Sequence, residues 1–209
     1  MRMSRKDPRG SLCDLPRVLG RLAGTLIMLA MASSVGHAQT PTPPENLVEA
    51  LSGLETVPNL DVAALRQQAQ QRVKSRTDAA PLQRPPIARE LFDLPQASFQ
   101  IEFDEDSPIV RPQSYQILGR IADALSDPAL LPYKFLVIDH TDSIGRRDAN
   151  LTLSQRRADA IREVLLATFK ISPKRIQAIG LGEEQLLDST HPTAAANLRV
   201  QIVTIGNGP

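Results

Sequence analysis

Residues 135–157 read FLVIDHTDSIGRRDANLTLSQRR, and this stretch decides how the rest of the chain is interpreted. Its first four residues are an apolar run typical of a strand, and its end enters a helical pattern. The polar loop between them, within residues 140–157, concentrates carboxylates, hydroxyls and arginines. Because loops that join a strand to a helix commonly carry ligands, we predict the functional site here.

The patterns on either side of this stretch predict the order β-α-β-α-β-β. Strands are predicted over residues 99–103, 133–138, 174–180 and 197–205. The first helix begins at Pro112 and stops at Asp127, and the second begins near Thr152 or Ser154. Apolar residues on both faces of 133–138 favour a central strand, and residues 181–195 are predicted to be a surface loop. The predicted fold class is therefore α+β, with two helices packed on one face of a mixed four-stranded sheet.

Composition limits the class of protein. The chain has 209 residues, of which 42% are apolar and 3% aromatic, so one modest core of aliphatic side chains is expected. A net charge of +1 offers no electrostatic case for a nucleic-acid partner. Cys13, the only cysteine, precedes the apolar run of the leader, so neither disulfides nor lipidation are expected in the mature chain.

Residues 1–38 have the features of a signal peptide. A basic segment precedes the apolar run 22–32, and small residues precede a predicted cleavage after Ala38. The apolar run is much shorter than the roughly 20 residues of a membrane-spanning helix. Cleavage is the favoured interpretation, and an uncleaved membrane anchor is the alternative.

Residues 39–96 are predicted to be a Pro-rich spacer, because eight of the 17 prolines lie between 39 and 95. A short helix near 61–74 has Asp61 as its cap. Its apolar stripe is thin and comprises Val62, Leu65, Ala69 and Val73. We interpret it as a linker helix, with pairing to a partner through this stripe as the alternative. The folded domain is predicted over 97–205.

The residue types in the central stretch suit a receptor for a zwitterion. Asp142 follows the end of a strand, and Arg157 lies in the next helix. A carboxylate accepts hydrogen bonds from an ammonium group, and a guanidinium can hold a carboxylate with two parallel bonds. Mutual pairing of Asp142 and Arg157 is the equally simple structural alternative. Asn150 is expected to order the loop, and Gly145 to supply a positive φ.

Two other chemistries fit poorly. Asp139, His140 and Asp142 could contribute to a metal site, but the sequence shows no third strong ligand, and a packed histidine is the simpler interpretation. Ser143, His140 and Asp142 are too close along one extended segment to form a hydrolase triad. We therefore predict no catalytic residues, no metal and no cofactor.

Five short motifs follow one another in the second half of the chain: HTDS at 140–143 with Gly145, Asn150 with Leu153 and Ser154, Arg157 with Ala158, GLGE at 180–183 and NLRV at 197–200. In this order they resemble the OmpA-like peptidoglycan-binding domain. This family includes the C-terminal domains of outer-membrane porin-like proteins, peptidoglycan-associated lipoproteins and flagellar stator subunits. The resemblance extends from about 99 to 205.

The resemblance implies non-covalent binding of diaminopimelate in the peptidoglycan stem peptide, without enzymatic activity. Asp142 would take the ammonium group and Arg157 the carboxylate, and Thr141 and Asn150 would line the same site. The implied location is the periplasm of a Gram-negative envelope, at the cell wall and near the outer membrane, with peptidoglycan and envelope proteins as partners.

This sequence departs from the family pattern at two positions. Asp139 stands where the family usually has glycine, and it is either an accessory ammonium ligand or a change at the strand end. Leu198 replaces an arginine, and we expect it to join an apolar face.

Overall fold

The computed structural model describes residues 46–55, 58, 60–75 and 84–207. The predicted signal peptide and the first residues of the predicted spacer lie outside these ranges. Four strands and four α-helices follow one another along the described residues. They are α1 (Leu47–Leu51), α2 (Val62–Lys74), β1 (Gln96–Phe99), α3 (Tyr115–Leu125), β2 (Tyr133–His140), α4 (Arg147–Ala167), β3 (Ile176–Gly182) and β4 (Arg199–Asn207).

The strands form one mixed sheet in the order β1-β4-β2-β3. β2 is parallel to β3, and β4 is antiparallel to both β1 and β2. The helix between β2 and β3 is the long crossover that a parallel pair requires. The predicted mixed four-stranded sheet with a central second strand is confirmed.

The first strand lies three residues earlier than predicted. Residues 96–99 pair with β4, whereas Phe103 forms only an isolated bridge with Val110. The alternation over 99–103 reflects burial rather than pairing in the sheet, because Ile101 and Phe103 pack against the core. The backbone of Glu102 between them is bonded outside the sheet, since Glu102 N donates to Ser114 Oγ over 2.8 Å and Arg111 N donates to Glu102 O over 2.9 Å.

α4 begins at Arg147, several residues before the predicted start. Arg146 has extended backbone angles and accepts the first helical bond from Asn150 N at 2.9 Å. The sequence suggests a loop here because asparagine and aspartate are common in turns. Asn150 and Ser154 consequently lie within the helix, and Arg157 lies almost three turns from its start.

One face of the sheet is covered by α3 and α4, as predicted, with α1 at its margin. The buried side chains of this first core are mainly aliphatic, and Phe99 and Phe135 are its fully buried aromatics. The helical residues that contribute most are Leu118, Ile121, Leu125, Ala158, Ile161 and Leu165.

The other face of the sheet is covered by α2 and the turn Arg89–Leu91. Val62, Leu65 and Ala69 are buried there together with Leu136, Ile138, Val203 and Ile205 of the sheet. The helix has the predicted cap, since Asp61 Oδ1 accepts from the backbone of Ala63 and Ala64. The sequence predicts a linker helix, whereas the structure packs α2 against the sheet. A thin apolar stripe is sufficient for this packing because the sheet face that it contacts is itself apolar. The domain boundary at residue 97 stays a prediction.

Hydrogen bonds also attach α2 to the rest of the fold. Arg66 Nη2 donates to Ala178 O over 2.7 Å, and Arg66 Nε donates to Gln155 Oε1 over 3.2 Å. Among the described residues, no helix has both the length and the apolar character needed to span a membrane.

Candidate functional site

Two glycines of β3 determine where α4 lies. A Cβ at Gly180 would stand 2.0 Å from Gln155 N, and one at Gly182 would stand 2.9 Å from Leu151 N. The helix therefore rests directly on the strand backbone. Gly182 N donates to Ser154 Oγ over 2.8 Å, and Gly180 N donates to Gln155 Oε1 over 3.0 Å. Ser154 thus joins the helix to the sheet instead of capping the helix.

The loop that carries Asp142 is fixed by short local bonds. Asp142 is buried, and its Oδ1 accepts from Ile144 N at 3.0 Å. Gly145 has φ of 92°, the positive value expected from the sequence. Asn150 Nδ2 donates to Ile144 O over 3.0 Å and to Asp142 O over 3.3 Å. Asn150 therefore orders the loop from the first turns of α4.

Arg157 is held by its Nε atom, which donates to Ser107 O over 3.1 Å. Its guanidinium carbon lies 4.7 Å from the centroid of the Phe103 ring, a cation–π contact. Its terminal nitrogens have no hydrogen bond or ion pair with any described residue, and Asp142 is not its partner. Mutual pairing, the alternative that the sequence left open, does not occur.

A cleft of about 780 Å³ lies between the loops on either side of α4. One wall is Glu105 and Asp106, and the other includes Ile144 and Gly145. The floor is formed by α4 between Asp148 and Arg156, and it includes the largely buried Asn150. Arg157 adjoins the first wall through Ser107, and Asp142 adjoins the second through Ile144. Asp142 and Arg157 do not themselves line the cleft; each is hydrogen-bonded to the backbone of a loop at its edge.

The sequence model of the OmpA family matches residues 102–199, which contain this cleft. The C-terminal part of this chain is an OmpA family domain. Outer membrane porin F of Pseudomonas fluorescens is 38% identical over 104 residues, which are 48% of this chain and 31% of that protein. The peptidoglycan-associated lipoprotein of Brucella melitensis is 31% identical over 109 residues, which are 52% of this chain and 63% of that protein.

Solved structures give a similar partial match. One of them is the structure of the cell wall anchor of the T6SS from Pseudomonas aeruginosa, with 28% sequence identity to this chain and a TM-score of 0.45. The match covers 53% of this chain and 80% of the chain in that structure. The match to the porin spans about a third of the porin's own length, 31%, so its relationship to this chain concerns the domain.

Within the OmpA family domain, Asp139 and Thr141 are buried beside each other at the end of β2. Asp139 Oδ2 and Thr141 Oγ1 have no hydrogen-bond partner in the described part of the chain. Burial raises the pKa of the Asp139 carboxyl well above 3.8, although the nearby charges of Arg157 and Arg199 act to lower it. Asp139 is therefore next to the predicted site, but it is enclosed and does not line the cleft.

His140 points to the other face of the sheet and is a packed histidine. Its Nε2 lies 2.6 Å from Gln201 Oε1. Because Gln201 Nε2 donates to Gln96 Oε1, the His140 Nε2 is the donor in this pair. Burial and the charge of Arg199 lower the pKa of His140 well below 6.5, which keeps the ring neutral. No cluster of potential metal ligands occurs among the described residues.

The structure also contains buried ion pairs that the sequence did not indicate, and one of them involves Arg84, which precedes the residues matched to the OmpA family. Glu183 and Glu184 follow β3 and are buried at the start of the predicted surface loop. Arg147 Nη2 donates to Glu184 Oε2 over 2.7 Å, and Arg84 Nη1 lies 3.0 Å from Glu183 Oε1. The only sequence feature that could have suggested them is the acidic pair directly after Gly182.

Leu198 does not behave as expected. Its side chain is 42% exposed, so it does not join an apolar face. The neighbouring Arg199 is buried instead, and burial lowers its pKa to about 10. The short turn Ala195–Asn197 shifts the strand start to Arg199, which turns Leu198 towards solvent.

Proposed function

We propose that this chain binds peptidoglycan non-covalently, through the diaminopimelate residue of the stem peptide, and thereby attaches itself to the cell wall. The observation that carries the proposal is the unpaired state of Asp142 and Arg157. Each is held by one hydrogen bond to the backbone, Asp142 through Oδ1 and Arg157 through Nε. The other polar atoms of both side chains keep their capacity for a ligand.

The two groups have complementary roles toward a zwitterion. Asp142 accepts from the ammonium group, and the terminal nitrogens of Arg157 donate to the carboxylate. Asn150 contributes at the floor of the cleft, and Thr141, next to Asp142 in the chain, has a buried hydroxyl without a protein partner that would have to become accessible to the ligand. Asp139 is proposed only as an accessory residue, because it lies at the strand end next to Asp142 but is enclosed.

The expected affinity for one stem peptide is modest. Hydrogen bonds to charged groups contribute about 1.5–3 kcal/mol each. Two or three such contacts correspond to dissociation constants in roughly the micromolar to millimolar range. Modest affinity suits a polymer that presents the same ligand many times, because a released domain quickly meets another copy.

The setting that follows is the periplasm of a Gram-negative envelope, at the wall and near the outer membrane. The names of the relatives are consistent with this setting, since one is an outer membrane porin and another is a peptidoglycan-associated lipoprotein. The domain acts as a binding module and not as an enzyme. Other envelope proteins are possible partners of the spacer.

An interaction scaffold acting through the 61–74 helix is the less favoured function. Val62, Leu65 and Ala69, the stripe that such a scaffold would use, are buried against the sheet. A partner would first have to displace the helix from this face, at the cost of exposing the apolar residues beneath it.

Sedimentation with purified cell-wall sacculi tests the proposal. The chain lacking the predicted export signal, residues 39–209, is expected to pellet with the sacculi, and Asp142→Ala and Arg157→Ala are expected to abolish this. Asp123→Ala and Arg120→Ala are matched controls, because both residues lie on α3, outside the cleft. Undiminished sedimentation of the two site variants would refute the assignment of these residues.

Titration with soluble stem peptides tests the ligand. A peptide with diaminopimelate is expected to bind more tightly than its lysine analogue, because lysine lacks the second carboxylate that Arg157 takes. The difference is expected to disappear in Arg157→Ala. Equal affinities of the unmodified chain for the two peptides would contradict the role of Arg157.

A further inference from the structure

Glu183 connects two parts of the molecule through its two carboxylate oxygens. Oε1 pairs with Arg84 Nη1 at 3.0 Å, and Oε2 accepts from Asn150 Nδ2 at 2.9 Å. Arg84 precedes the residues that match the OmpA family, which begin at 102. Asn150 lies in the floor of the cleft. One buried side chain therefore joins the segment before the domain to the candidate site.

Asn150 passes this connection to the loop that carries Asp142. The nitrogen that donates to Glu183 also donates to the carbonyl oxygens of Ile144 and Asp142. The backbone N–H of Ile144 in turn donates to Asp142 Oδ1. The chain of contacts from Arg84 to the Asp142 carboxylate thus consists of consecutive hydrogen bonds, all at least partly shielded from water.

Electrostatics make Arg84 necessary for this arrangement. Glu183 and Glu184 are adjacent buried carboxylates, and Arg84 and Arg147 balance them. A buried carboxylate that loses its cation is strongly destabilised and tends to move towards water. If Glu183 moved outward, Asn150 would lose an acceptor that fixes its amide group. The loop at Ile144 and Asp142 would then lose its anchor.

The position of Arg84 is itself fixed by packing. Ile87, Ala88 and Leu91, which follow it closely in the chain, are buried in the second core against the sheet. Arg72 Nη1 donates to Pro85 O over 2.6 Å, which ties the same segment to α2. Arg84 is therefore placed by the docking of residues 84–91 on the sheet.

We propose that Arg84 and Glu183 are positioning residues for the peptidoglycan site, and that docking of residues 84–91 holds the Asp142 loop in the arrangement that binds the stem peptide. The inference rests on the proposed function. It extends the functional unit beyond the family domain, because a cation from the preceding segment maintains the ligand-binding loop.

The test uses residues 39–209 and titration with the diaminopimelate stem peptide. Arg84→Met is expected to weaken binding about tenfold, within the range for members of one buried network. Arg84→Lys retains the charge and is expected to bind within about threefold of the unmodified chain. Glu183→Gln in the Arg84→Met background is expected to recover most of the affinity. A neutral glutamine needs no cation, and its carbonyl oxygen can still accept from Asn150.

Arg66→Met is the matched control. Arg66 attaches α2 to Ala178 and Gln155 but does not contact Glu183. The Arg66→Met variant is expected to have a lower free energy of unfolding, while its affinity for the peptide stays within about twofold of that of the unmodified chain. The NMR shift of the Ile144 amide proton, which reports its bond to Asp142 Oδ1, is expected to change in Arg84→Met and to return in the double variant.

Two results would overturn the inference. One is an unchanged affinity and an unchanged Ile144 shift in a folded Arg84→Met chain. The other is a double variant that binds no better than Arg84→Met. Neither result affects the proposed function as long as the unmodified chain binds and Asp142→Ala does not. If the unmodified chain fails to bind the peptide, the proposed function itself is wrong.

Discussion

Replacing Gly180 by alanine tests the close contact between β3 and α4. The added Cβ would lie 2.0 Å from Gln155 N and 2.4 Å from Ser154 C, whereas real Cβ contacts are essentially never under 3.0 Å. Both neighbours are backbone atoms of a helix, so no side-chain rotation relieves the clash. The helix must move away from the sheet by roughly 1 Å, and overpacking of this kind costs about 1–3 kcal/mol.

The displacement also weakens two hydrogen bonds, from Gly180 N to Gln155 Oε1 and from Gly182 N to Ser154 Oγ. At about 1 kcal/mol each, the expected total loss is about 3–5 kcal/mol. This is a large part of the roughly 5–15 kcal/mol that stabilises a typical domain. Urea denaturation followed by circular dichroism measures the loss as a shift in the transition midpoint.

Gly119→Ala is the matched control. Gly119 lies within α3, and an added Cβ would meet only the Phe169 ring, at 3.7 Å. Alanine in a helix interior is expected to stabilise the protein by about 0.5–1 kcal/mol. If Gly180→Ala changed the free energy of unfolding by less than about 1 kcal/mol while Gly119→Ala behaved as expected, the inferred contact between helix and strand would be wrong.

Three further predictions concern groups outside that contact. The raised pKa of Asp139 means that its contribution to stability is present below pH 3.8 and is lost as pH rises through its folded pKa. The asparagine of Asp139→Asn does not titrate. In denaturation at several pH values, the free energy of unfolding of this variant is therefore expected to rise relative to that of the unmodified chain above pH 3.8. A difference that does not change with pH would contradict this. Arg175→Met removes three donor bonds to the carbonyl oxygens of Leu125, Leu130 and Tyr133, and we expect a loss of about 2–4 kcal/mol in urea denaturation. Asn197→Ala removes the side chain that bonds to Asp188, His191 and Pro192, so amide hydrogen exchange at Asp188 should become faster while exchange in β2 stays unchanged.

Local patterns predicted most of the sheet and both covering helices. β2 was recognisable because apolar residues occupy both of its faces, and α3 because Pro112 and Asp127 mark its two ends. The predicted start of α4 is too late because asparagine, the residue at position 150, is common in loops and turns. In the structure it lies in the first helical turn, where its amide bonds to the loop carbonyls.

The packing of α2 could not be predicted from its own sequence. Its apolar stripe is no stronger than that of an isolated linker helix, and the surface that buries it is made by β3, α4 and the apolar side chains of β2 and β4, far along the chain. The same limit applies to the ion pair of Arg84 and Glu183, whose members are 99 residues apart. Pairwise contacts at such separations have no periodicity or motif that a single sequence reveals.

The separation of Asp142 and Arg157 bears on how the site can bind a zwitterion at all. A mutually paired carboxylate and guanidinium would have to separate before the ligand binds. The free energy of breaking that pair would then reduce the net free energy of ligand binding. In this domain the two groups are held apart by different loops, Asp142 through Ile144 and Arg157 through Ser107. Both side chains are already oriented by backbone contacts, so little additional ordering accompanies binding. In the proposed function, this polar loop and Arg157 would act as a preorganised receptor, and the segment that carries Arg84 would help to maintain it.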